Sequence, residues 1–130
     1  MPTEILGDIM SSATWGKLDE SMMARGISNL DLVVMRPEGG WQINSFYRVE
    51  SLRILALTYI IRNVAKRLNP TGRFYFVVPI PPRLPTLVSE HPALKALQKS
   101  VSDLTPFKLI LKTRPLPGKT VDHLEGALMP

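Results

Sequence analysis

The chain has 130 residues, 45% apolar and 21% charged, which is the length of one domain and enough apolar content for one core. That composition excludes disorder throughout, and the absence of cysteine excludes disulfides, a thiolate metal site and a cysteine nucleophile. The net charge of +5 is unevenly placed: residues 1–47 carry three basic and six acidic side chains, residues 48–119 carry thirteen basic and three acidic ones, and the end adds Asp122 and Glu125. A basic body between acidic ends points to an anionic partner or to self-association.

The reading is one domain over residues 1–130, with residues 1–10 as an ordering arm and 115–130 as a loop and tail. Ser11 and Ser12 are set to cap a helix over residues 13–24. Leu18 and Met22 share a face of it, Met22 and Met23 are core filler, and Gly26 takes the left-handed position past its end. Residues 29–36 alternate as a strand. The turn residues 37–40, with Gly39 and Gly40, then predict a hairpin with residues 41–44 returning antiparallel.

The longest periodic segment is residues 46–68, the expected central helix. Ile54, Leu57, Ile60, Ile61, Val64 and Leu68 form a broad apolar face for the sheet. Leu52, Leu55, Ala56 and Tyr59 form a second stripe, and with Arg62 at its rim Leu52, Leu55 and Tyr59 are the expected oligomer interface. Pro70 ends the helix. Residues 73–78 are apolar on both sides and predict a central strand. Pro79 to Pro85 reads as a polyproline connector, for which no proline-groove partner is expected. Residues 89–104 predict a helix with Leu94, Leu97, Val101 and Leu104 as its stripe. Residues 107–113 predict an edge strand with Phe107, Leu109 and Leu111 inward and its lysines outward. At most one helical turn is expected in residues 121–128.

These elements give an α+β fold: a small, mainly antiparallel sheet of about four strands, with a long central helix and one or two further helices packed on it. No catalytic motif emerges. Residues 117–120 (PGKT) resemble the end of a phosphate loop, but Thr113 stands where its first glycine belongs, and Pro115 and Pro117 remove amides. His91 follows Glu90 and His123 follows Asp122, yet neither has a second histidine at metal-ligand spacing. No cofactor and no metal are expected.

The surface is basic: Arg48, Lys66, Arg67, Lys95, Lys99, Lys108, Lys112 and Arg114 are the candidate contacts to an anion, either nucleic acid or an anionic membrane surface. Trp41 and Tyr75 are the aromatics placed to stack on bases. The function expected from this is a non-enzymatic, self-associating structural or adaptor protein, such as a small viral structural or accessory protein. The alternatives are a nucleic-acid-binding protein and a small enzyme using His91 or His123. No leader pattern and no transmembrane segment is expected. The longest uncharged apolar run, residues 54–61, falls well short of the roughly 20 residues that cross a bilayer. A cytoplasmic or other reducing compartment is the corresponding expectation.

Overall fold

The computed structural model describes residues 5–7, 9–36, 50–80, 92–114 and 122–130. Its elements are α1 (Ser12–Ala24), β1 (Leu30–Met35), α2 (Glu50–Arg67), β2 (Leu68–Ile80), α3 (Pro92–Leu104), β3 (Lys108–Arg114) and β4 (Asp122–Met129). They form an α+β fold with a four-stranded mixed sheet in the order β1-β2-β4-β3. Two of its three ladders are antiparallel, β2 with β4 and β3 with β4, while β1 and β2 are parallel. β2 and β3 both oppose β4, so β1, β2 and β3 all run the same way.

The reading of residues 115–130 as a tail is corrected. Residues 122–129 are β4, the strand between β2 and β3. Leu124, Gly126 and Leu128 point into the core and are buried. Gly126 stands opposite Phe76, and a Cβ there would overlap the outer end of the Phe76 ring. The glycine that weakens the strand signal in the sequence is what lets the ring lie on the backbone. The described partner of β1 is β2, in parallel; the hairpin expected with residues 41–44 lies outside the described residues. The strand expected at 73–78 extends to Leu68–Ile80, so Pro79 and Ile80 belong to β2 and not to a polyproline segment. Residues 81–85 lie outside the described residues, as do residues 89–91.

α2 passes straight into β2. Leu30 pairs with Leu68 and Leu32 with Arg73, so residues 69–72 stand opposite Asp31 alone. Asn69 organises this irregularity. Its side-chain oxygen accepts from the Thr71 amide (3.2 Å) and hydroxyl (3.1 Å), and its nitrogen donates to Asp31 (3.3 Å). Gly72 closes it, because a Cβ there would sit 3.0 Å from the carbonyl oxygens of Leu30, Asp31 and Asn69.

All three helices contribute to one core, on one face of the sheet. Leu57, Ile60, Ile61, Val64 and Leu68 are buried, as the periodicity of α2 predicts. They meet Phe74, Phe76 and Val78 of β2, Leu124 and Leu128 of β4, and Leu94, Leu97 and Val101 of α3. The Phe74 and Phe76 rings are tilted with centroids 5.2 Å apart. Leu104, expected in the α3 stripe, is exposed. In α1, Met22 is buried but Met23 is 82% exposed, which corrects its reading as core filler. The end of α1 is a Schellman turn: the Ile27 amide donates to the Met22 carbonyl and the Gly26 amide to that of Met23, with Gly26 at φ +70°. At the other end Ser11 makes no side-chain cap. The arm is held instead by Trp15, whose indole nitrogen donates to the Ile9 carbonyl at 2.7 Å.

Candidate functional site

Two places, at opposite ends of the parallel strands, gather charged side chains or helix ends. The first is a cleft of about 420 Å³ between the carboxyl ends of α1 and α2, lined by Asp19, Met22, Met23, Ile27, Lys66 and Arg67 among others. Arg67 dominates it. Its Nε and Nη2 donate to the two Asp19 oxygens at 2.6 and 2.8 Å, and Nη1 donates to the backbone and side-chain oxygens of Asn63. The guanidinium also lies 5.0 Å from the Trp15 ring centroid. Expected as a contact to an external anion, Arg67 is committed within the chain: it ties α1 to α2, and its side chain is only 14% exposed. The cleft is left with one exposed cation, Lys66, and apolar walls.

The hydrogen bond from Arg67 holds the Asp19 carboxyl below its ordinary value, assisted by the charge of Arg67 and opposed by desolvation. A lowered folded-state value means that this pair adds stability above the unfolded carboxylate pKa, about 3.9. The contribution is lost as pH falls through the folded value. Asp19 is 52% exposed, so solvent screening keeps the effect small. Asp19→Asn is expected to lower stability by less than about 1 kcal/mol at neutral pH. Urea melts at descending pH should show wild type and variant converging in acid; a gap that widens there would contradict the pairing.

The second place is the carboxyl edge of β1, β2 and β3. Met35, Ile80 and Arg114 end these strands on one side of the sheet. β4 starts there, with Asp122 opposite Ile80 and His123 opposite both Pro79 and Arg114. The helices bring their amino ends to the same side. α2 finishes at Arg67, immediately before β2 begins, and runs back about 27 Å over its 18 residues. α3 finishes at Leu104, just before β3, and likewise starts at the carboxyl edge. Amino ends of helices carry free amides and a positive partial charge. Lys95 and Lys99 are exposed on the first two turns of α3. Arg114 is paired with Glu125 at 3.0 Å.

The structure distributes the remaining expected residues as follows. Lys108 and Lys112 are exposed on β3, at the edge of the sheet. In the expected oligomer interface, Leu55 is 62% exposed and Arg62 is exposed, but Tyr59 packs against the core and Ala56 is buried. The side chain of Leu52 lies outside the described residues, and so do Trp41, Arg48, His91 and residues 117–120. Among the described residues no cluster of three His, Asp or Glu is arranged for a metal. No described helix is long and apolar enough to cross a membrane.

No protein-family model matches the chain, and no curated protein matches it. Solved structures are similar to it, among them these two. One is an rRNA methylase from Streptococcus thermophilus, at 13% identity and a TM-score of 0.39, with 94% of this chain and 69% of that one covered. The other is a precorrin 8W decarboxylase from Methanobacterium thermoautotrophicum, at 14% identity and a TM-score of 0.34, with 89% of this chain covered. The chain spans 64% of that protein. Both are enzymes by name. The expectation of a non-enzymatic structural or adaptor protein is corrected on this finding and is not carried further.

Proposed function

We propose that the chain is an enzyme domain that binds a nucleotide-like small molecule at the carboxyl ends of β1, β2 and β3. One observation carries this reading: three strands joined through helices run the same way and end on one side of the sheet. In doubly wound α/β sheets, ligands bind outside the carboxyl ends of the strands at a topological switch point; this mixed sheet has no such reversal among its described strands, and the reading rests on the strand and helix ends that gather at one edge. The physical reason is that loops leave the sheet there and helix amino ends arrive there, with free amides for a phosphate or carboxylate. The amino ends of α2 and α3 supply that field here. His123 is the histidine that the described backbone places at this edge, and the reading assigns it to the site as a hydrogen-bonding or proton-transferring group. Lys95 and Lys99 give the same side a positive potential, which suits an anionic substrate such as nucleic acid.

The test is calorimetry with a panel of adenine-containing ligands: ATP, NAD and S-adenosylmethionine. At least one is expected to bind saturably to the wild-type chain. His123→Ala is expected to weaken that ligand about tenfold, roughly 1.4 kcal/mol. If no member binds, or if the His123 variant binds as the wild type does, the assignment fails.

A further inference from the structure

Among the described residues, the helices cover one face of the sheet and none covers the other. On the open face Leu32 is 60% exposed, Val34 67%, Tyr75 38% and Ile110 52%. These are not scattered side chains. Val34 pairs with Tyr75, Tyr75 with Ala127 and Ala127 with Ile110, so one continuous row crosses all four strands. Three strand spacings make it about 14 Å long, against about 10 Å for the width of a helix. β1 also lies at the end of the strand order among the described residues, so the apolar row runs to the last described strand.

The charge beside the row is mostly positive. Lys108 and Lys112 flank Ile110 along β3, and Arg73 lies next to Tyr75, its guanidinium donating to the phenol oxygen at 3.3 Å. The acid on this face, Glu125, is engaged by Arg114 at 3.0 Å. Lys108 and Lys112 make no ion pair among the described residues, although Glu125 stands opposite Lys112 in the β3–β4 register. We infer that this face docks an amphipathic helix of a partner polypeptide whose apolar stripe is flanked by Asp or Glu. Its apolar side chains lie on Val34, Tyr75 and Ile110, and its carboxylates reach Lys108, Lys112 and Arg73. A nucleic acid fits the lysines but not the row, since bases stack on aromatic rings and Tyr75 is the single ring among aliphatic side chains. A helix stripe packs on aliphatic side chains directly. The inference is independent of the ligand proposed at the carboxyl edge.

The test uses the full chain and two synthetic helical peptides with the same leucine stripe, one flanked by Glu and one by Lys. Fluorescence anisotropy is expected to show saturable binding of the Glu peptide, and amide shifts are expected at Val34, Tyr75 and Ile110. Lys108→Glu with Lys112→Glu should weaken that peptide at least tenfold. Val34→Asp should abolish binding with the fold intact by circular dichroism, whereas Leu104→Asp, at an exposed position of α3, should change nothing. Equal binding of both peptides, shifts centred on α1, or binding of poly(U) to this face in place of either peptide would overturn the inference.

Discussion

Gly126→Ala is expected to destabilise the fold by about 3 kcal/mol, a large loss for a change of one methyl group. The added Cβ would overlap the outer end of the Phe76 ring. That ring has nowhere to go: Phe76 is 2% exposed and packs beside Phe74, which is fully buried. Its register partner is fixed by the β2–β4 ladder on both sides. Relief must come from rotating a buried ring off its rotamer or from parting two central strands. Urea unfolding should show a lower midpoint with the slope unchanged. A Gly126→Ala variant as stable as wild type would mean that β4 does not lie in this register.

Phe76→Ala is the second large effect, about 3–5 kcal/mol for deleting a buried aromatic ring. Its value as a test lies in combination. Once the ring is gone, the space above residue 126 is open, and a methyl group there fills part of the cavity. The double variant Phe76→Ala with Gly126→Ala is therefore expected to be more stable than the sum of the single losses implies. A coupling of about 1 kcal/mol or more is expected between side chains in direct contact. Strict additivity would place the two residues apart.

The same pair explains which parts of the fold are legible in the sequence. The core face of α2 is written in its 3.6-residue spacing, and Leu57, Ile60, Ile61 and Val64 all take their expected places. β3 is written in alternation, with Leu109 buried and Lys108 and Lys112 exposed. β4 is not, because Gly126 interrupts its apolar alternation, and the need for glycine lies in Phe76, 50 positions earlier. The parallel pairing of β1 and β2 is hidden for a related reason. Turn residues 37–40 favour a local hairpin, while the observed ladder depends on a long-range crossover through α2.

The sites follow the same rule. The exposure of Lys95, Lys99, Lys108 and Lys112 can be expected from helix and strand faces. The commitment of Arg67 cannot, since Asp19 is 48 residues away and Trp15 still further along the chain. Met23 shows the converse error, because a Met pair on one helix turn has only one member facing inward. The carboxyl edge is unreadable without the strand directions: His123 belongs to it only because β4 is inserted between β2 and β3.

That edge offers the most direct test. Hydrogen–deuterium exchange should be followed on the full chain with and without the adenine ligand that binds. Slowed exchange is expected in residues 33–36, 78–80, 112–114 and 122–124, the segments that meet at the carboxyl ends of β1, β2 and β3. Protection confined to residues 19–28 and 63–67, around the cleft between α1 and α2, would contradict a ligand site at the carboxyl edge.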